Sequence, residues 1–380
     1  MAEVHGDCPD RFAAVRDTLA ASLDAGTDVG ASVAVFLDGE AVVDIWGGFA
    51  DAERTRPWER DSITNVFSTT KTMTALSALV LADRGELDVH APVSRYWPEF
   101  AAGGKDDVEV RHLLGHTAGL PGWDEALLAE DLADWEKCTS LLAAQEPWWE
   151  PGTASGYHAV TQGYLVGEVI RRITGQSLGT FFKSELADPL GADFHIGLPA
   201  SADARVAPLI PHEPIDIEAQ AAASSAAPFA LKVLSNPPIT GDTSWPEWWR
   251  RAEIPAANGH GNARSVAQIQ SVLACGGSIG GRRFLSEKGC SAVFEEQSNG
   301  IDVVLGAPLR FGLGYGLANE TMPLGERACF WGGYGGSVVL VDMGSRLAVS
   351  YVMNRMEGNL LGDTRGGGIL LAAAMGVAVG

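Results

Sequence analysis

Two strand pairs stand at opposite ends of this chain, and they constrain its fold more than anything between them. Near the start, "GASVAVFLDGEAVVDIWGG" (30–48) is two β-rich runs hinged on Asp38-Gly39, the commonest short signal for an antiparallel hairpin. Near the end, "GGSVVLVDMGSRLAVSYVMN" (335–354) is a second pair, turning near Met343-Gly344-Ser345. Arg11 to Leu23 has helical spacing of apolar residues, broken by Gly26 and Gly30, and "GGGILLAAAMGVAV" reads as a closing helix. Strands at both termini with helices outside and between them predict one antiparallel sheet built from both chain ends, an α/β fold of the α+β type. Residues 1–67 and 280–380 are expected to form this sheet domain, and 68–279 a mainly helical lobe. Within that lobe the segment from about 199 to 258 is rich in Pro, Ala and Ser and reads as an irregular cover, the kind of long excursion that is usually functional.

Bulk properties exclude several classes. A chain of 380 residues with 46% hydrophobic and 20% charged content reads as soluble and globular. Its formal charge of −21 argues against nucleic acid or an anionic membrane surface as partner, because both repel such a field. The opening "MAEVHGDCPDRF" lacks a basic region followed by an apolar run, so no secretory signal is expected, and no segment reaches about 18 uninterrupted apolar residues. Cys8, Cys138, Cys275, Cys290 and Cys329 are scattered and odd in number, which fits reduced thiols in a cytoplasm rather than a disulfide frame or a zinc site. The partner expected is a small molecule, with oligomeric state left open.

The stretch "FSTTKTMTALSALVLADRGEL" (67–87) places Lys71, one of only six lysines, at the head of a hydrophobic run. Ser68 and Lys71 are spaced i,i+3, which on a helix puts both side chains on one face with Cβ atoms about 5–6 Å apart. The preceding "ITNVF" reads as extended, so Ser68 falls at or near the first helical turn. Unpaired N–H groups and partial positive charge there meet any oxyanion that forms. The same positive end, with apolar neighbours Val66, Phe67 and Leu76, is expected to lower the Lys71 pKa. A partly neutral lysine beside a serine hydroxyl can take its proton. The string is short, however, and a serine at a helix start also serves as a cap.

Three further segments add to it: "LLGHTAGLPG" (113–122), "EPGTASGYHAVTQGYLVGEVIRRITG" (150–175) and "FWGGYGGSVVLVDMGSRLAVSYVMNRM" (330–356). In that order and spacing they resemble the serine β-lactamase and penicillin-binding superfamily, and within it the class C-type branch that includes the family VIII carboxylesterases. The resemblance runs from the first hairpin to the last helix and implies a β-lactamase/DD-peptidase-like fold. It implies Ser68 as the acylated nucleophile, Lys71 as its general-base partner, and Tyr157 as the tyrosine of the Tyr-x-Asn motif, which protonates the leaving group. A phenol beside a lysine ammonium should have a lowered pKa, which suits that shuttle. The third motif falls on Trp331-Gly332-Gly333, where small residues would let substrate lie along the edge strand. The Tyr334 N–H would then complete an oxyanion hole with the Ser68 N–H. Taken without the resemblance, Gly332 and Gly333 read as a bulge or turn.

The departures bear on substrate. Where the family's lactamases hold Asn and Lys or His, this chain has Ala159 and Trp331. Losing an amide and a cation removes recognition of a carboxylate-bearing amide and favours a neutral, apolar acyl ester. Trp123, Trp148, Trp149, Trp245, Trp248 and Trp249 fit an apolar pocket, although packing is the commoner role. The resemblance thus implies a carboxylesterase with short- to medium-chain acyl groups and no metal or cofactor. β-Lactamase, D-amino-acid peptidase or amidase, and acyltransferase activity remain alternatives on the same fold, as does a sensor acylated once without turnover.

Other motifs read as decoys. "GGSIG" (276–280) matches G-x-S-x-G, but a helical run precedes it where a strand is needed, so Ser278 reads as an exposed residue after a glycine helix stop. His112 and His116 are spaced i,i+4 without an HExxH glutamate, and His116 reads as a loop anchor. His158 can tune the site or pack, and His260 reads as a loop bridge.

Overall fold

The computed structural model describes residues 2–213 and 226–378, and in it the two chain ends meet in one sheet. Gly30–Leu37 pairs antiparallel with Glu40–Gly48 on one side and with Leu347–Met353 on the other, with Leu37 opposite Leu347 and Ala31 opposite Met353. The first hairpin turns through Asp38 and Gly39 at φ 54° and 83°. Two consecutive left-handed residues match the strand twist, which is why an Asp-Gly pair occupies the turn. Beyond these pairs the sheet grows to nine strands. Val4–Asp7 forms one edge, and Val338–Asp342, Ala328–Gly332, Gly316–Leu317, Pro308–Phe311 and Ser298–Ile301 follow in order to the other.

Leu347–Met353 is buried at every position, as a strand covered on both faces must be. Helices Ala13–Ala25 and Thr364–Ala378 pack on each other over one face, the first through Val15, Leu19 and Leu23. Helix Ala263–Ala274, capped by the Asn262 side chain, lies against strands Gly30–Leu37, Val338–Asp342 and Leu347–Met353. The sheet layer therefore resumes near residue 263 rather than 280, because this amphipathic helix buries its apolar face on the sheet.

Among the helices away from the sheet, Lys71–Asp83 is central and is buried from Lys71 through Leu81. A helix apolar all round needs neighbours on every side; Thr161–Thr174, Leu178–Phe182 and Glu287–Ser291 supply them. The excursion from 199 to 258 holds the short helical turns Ala200–Arg205, Ala230–Leu234, Gly241–Ser244 and Glu247–Arg251, while its residues 214–225 lie outside the described residues. It is stapled to the sheet lobe where Ile210 N–H donates to Asn354 O at 2.7 Å and Met356 N–H donates to Ile210 O at 2.9 Å. No helix among the described residues is long and apolar enough to cross a membrane.

Candidate active site

The turn carrying Ser68 is fixed from both sides. Thr64–Asn65 pairs with His260–Gly261, and Val66 N–H donates to Gly259 O at 2.9 Å. Phe67 is then forced to φ 42°, a left-handed conformation costly for an aromatic residue. Phe67–Thr70 makes one 3₁₀ turn before the α-helix begins at Lys71, so Ser68 sits ahead of the regular helix rather than inside it. From the sheet, Ser337 Oγ donates to Val66 O at 2.9 Å and meets Thr69 Oγ1 at 2.9 Å.

Three of the predicted residues converge on one oxygen. Tyr157 Oη lies 2.6 Å from Ser68 Oγ, and Lys71 Nζ lies 3.1 Å from it. Lys71 also donates to the carbonyls of Ala159 at 2.6 Å and Ala256 at 3.0 Å, and its Nζ stands 4.8 Å over the Tyr157 ring. It forms no ion pair with a carboxylate among the described residues. Burial alone holds its pKa well below the ordinary lysine value, as the sequence suggested. Tyr157 goes the other way. Its pKa is raised, chiefly by burial against the opposing hydrogen bond to Ser68, so the lowering expected from a nearby ammonium does not occur. The reason is that desolvation of the phenol disfavours its charged form and outweighs the opposing hydrogen bonds.

Tyr157 is anchored by a residue that no motif marked. Its N–H donates to Asp302 Oδ1 at 3.0 Å, and the same oxygen accepts the N–H groups of Val304 at 3.0 Å and Leu305 at 2.9 Å. The second carboxylate oxygen accepts the Ser155 hydroxyl at 2.7 Å. Asp302 is fully buried. Sequence gave no hint of it, since "IDVVLG" carries no pattern beyond a hairpin turn. Nor did it reveal that Ala159, read there only for its missing amide, contributes a backbone carbonyl to Lys71.

Among the described residues the N–H groups of Ser68 and Tyr334 make no hydrogen bond within the protein, whereas Gly333 N–H donates to Ser337 O and Gly335 N–H to Asn359 O. Gly333 lets the strand end approach the nucleophile turn, because a Cβ there would overlap the Val66 carbonyl oxygen and Ser337 Oγ. Gly332 does the same for the chain at Leu361 and Gly362. Their small size thus serves backbone approach, and neither lines the cavity.

Trp331 and His158 are also displaced from the substrate side. Trp331 is buried beneath Tyr157, ring centroids 5.5 Å apart, and stacks on His116 at 6.1 Å. His158 accepts the Leu120 N–H at 3.1 Å and donates to Gly156 O at 2.6 Å. Burial pushes its pKa down to about 3, so it packs as a neutral ring. His116, at φ 60°, accepts the His158 N–H at 3.1 Å and anchors its loop. His112 accepts the Glu109 N–H at 3.2 Å, and His260 donates to Asn258 O at 2.8 Å. Ser278 is exposed on the two-residue strand Ser278–Ile279, far from any elbow geometry.

Ser68 and Tyr157 open on a cavity of about 410 Å³. Its walls are largely apolar, with Val233 and Leu234 from helix Ala230–Leu234 joined by Ile239 and Leu360. No tryptophan lines it; Phe67, Tyr157 and Tyr334 are its aromatic side chains. Trp245 lies instead on a separate cavity lined by residues 206–211.

Fold and constellation together define a class: a serine hydrolase of the β-lactamase fold. The family model described as Beta-lactamase matches residues 15–374. The chain is 38% identical over 365 residues to Esterase/beta-lactamase LipL of Mycobacterium tuberculosis, covering 93% of this chain and 83% of that protein. A solved structure of a family VIII carboxylesterase superposes with a TM-score of 0.91 at 44% identity, over 98% of this chain and 100% of that one. A penicillin-binding protein homologue from Caulobacter crescentus superposes with a TM-score of 0.89 at 37% identity, with the same coverage of 98% and 100%. The chain belongs to the Beta-lactamase family.

Proposed function

We propose that this chain is a carboxylesterase that cleaves short- to medium-chain acyl esters through an acyl-enzyme on Ser68. The observation that carries the reading is the double contact on Ser68 Oγ, with the Lys71 amine at 3.1 Å and the Tyr157 phenol at 2.6 Å. A neutral Lys71 has two N–H groups and one lone pair. The carbonyls of Ala159 and Ala256 take the two N–H groups, which leaves the lone pair for the Ser68 proton. As Ser68 Oγ attacks the ester carbonyl, its proton passes to Lys71. The oxyanion rests on the Ser68 and Tyr334 N–H groups. Tyr157, kept protonated by burial, donates its proton to the departing alkoxide and is reprotonated from Lys71. Water then attacks the acyl-enzyme by the same path in reverse.

The largely apolar cavity supports a neutral acyl chain, and both LipL and the family VIII structure are named as esterases. The five free thiols fit a cytoplasmic setting. A β-lactam is the second substrate class, favoured by the double name of LipL and by the penicillin-binding homologue. The test is turnover of p-nitrophenyl butyrate and nitrocefin, side by side, for the native chain and Ser68→Ala. Ester turnover lost in the variant, with little on nitrocefin, is the expected result. Ester turnover that survives in Ser68→Ala overturns the mechanism, and faster turnover of nitrocefin than of the ester overturns the substrate class.

A further inference from the structure

The cavity in front of Ser68 has an asymmetric charge. Among the described residues no lysine or arginine lines it, and Asp242 is its one carboxylate. Asp242 is exposed, its only side-chain partner is the Thr240 hydroxyl, and no cation pairs with it among the described residues. It sits close enough to the Tyr334 phenol that, after burial, its charge is the second cause raising that group's pKa. Tyr334 is the residue whose N–H faces the forming oxyanion in the reading above. A second acidic residue stands beside it, since Glu213, next to cavity-lining His212, is exposed. A cleft lined by one sign of charge concentrates ligands of the other and repels its own.

We propose that Asp242 makes this cavity a charge filter, which admits neutral esters and esters with a cationic acyl or alcohol group and rejects esters that carry a carboxylate. The proposal rests on the esterase reading of Ser68 and names its substrate class more narrowly. Asp242 is a specificity residue here, and the reacting atoms do not touch it. A unit charge about 8 Å away across a solvent-rich cleft is worth roughly threefold in kcat/KM, so a change from anionic to cationic substrate doubles that effect on a logarithmic scale to about tenfold.

The test uses p-nitrophenyl esters of butyric acid, of 4-(trimethylammonio)butyric acid, and of succinic acid as its monoester, at low ionic strength. The readout is the cationic-to-anionic ratio of kcat/KM, which a purely structural role leaves alone. The native chain should favour the cationic ester by about tenfold, Asp242→Asn should bring the ratio down by about that factor, and Asp242→Lys should push it lower still. Raising NaCl to about 0.5 M should compress the native ratio in the same direction, with no variant needed. A ratio that stays within twofold in both variants, or a native ratio indifferent to salt, overturns the proposal. Loss of the esterase reading has a different signature, because it shows as turnover that survives Ser68→Ala.

Discussion

Placing alanine at Gly333 inserts a methyl between two pieces of backbone that the site needs close together. The new Cβ would overlap the Val66 carbonyl oxygen and Ser337 Oγ and would lie 3.2 Å from Thr69 Oγ1. The carbonyl cannot turn aside cheaply, because it already accepts the Ser337 hydroxyl at 2.9 Å and the Thr69 N–H at 3.2 Å. Restoring an ordinary carbon–oxygen contact requires the strand end to back away by about 1 Å. That movement carries the Tyr334 N–H away from the oxyanion position. Misplacement on this scale costs about 10²-fold, and outright loss of one oxyanion donor costs about 10²- to 10³-fold. Gly333→Ala should therefore lower kcat on p-nitrophenyl butyrate by about 10²-fold with KM changed less than about threefold, since the cavity walls stay in place. Overpacking should lower stability by about 1–3 kcal/mol, readable in urea. Gly325→Ala is the control, because nothing lies within 4 Å of a Cβ there. A folded Gly333→Ala enzyme within about threefold of native kcat would refute the oxyanion assignment of Tyr334.

Two other outcomes follow from the same geometry. Lys71 is a base only when neutral, and its pKa is depressed by burial, so kcat/KM should rise with pH through that depressed value and level off well below the ordinary 10.5, with activity lost as pH falls. Lys71→Arg stays protonated and should show no plateau; a native profile that climbs only near the ordinary lysine value contradicts the base assignment. Asp302→Ala should leave the buried N–H groups of Tyr157, Val304 and Leu305 unpaired and cost about 3 kcal/mol or more in urea denaturation, while Asp302→Asn keeps an acceptor and loses much less. Equal midpoints for the native chain and Asp302→Ala would show that the carboxylate holds nothing.

What the sequence disclosed was whatever is written locally. Asp38-Gly39 announces its turn because few other pairs tolerate two left-handed residues, whereas the turn at 343–345 holds none and its left-handed residue is Arg346, at φ 56°. Ser68 and Lys71 are one helical turn apart, so their meeting is a matter of spacing. Tyr157 came within reach only through resemblance, because its approach to Ser68 spans 89 positions. Asp302 and the Ala256 carbonyl had no local trace, since backbone acceptors and buried carboxylates look like any others until the chain brings them together. The direction of the Tyr157 pKa failed for a related reason. Proximity to Lys71 was legible, but the burial that lowers the lysine pKa and raises that of the phenol depends on packing from many segments. Trp331 was misplaced because successive residues of a strand face opposite sides, and a one-residue choice of face separates a cavity wall from a prop beneath Tyr157.

The pairing of Gly30–Leu37 with Leu347–Met353 has a consequence for how the molecule is made. The first hairpin leaves the ribosome with one long edge unpaired, and its partner strand is translated roughly 300 residues later. At about 5–20 residues per second that edge waits on the order of 15–60 s. Every position of the waiting strand but the last is buried in the finished sheet, so for that interval it is an apolar template open to any other strand. A nascent chain stalled before Leu347–Met353 cannot close its own sheet, and it leaves the Gly30–Leu37 edge open to strands of other chains.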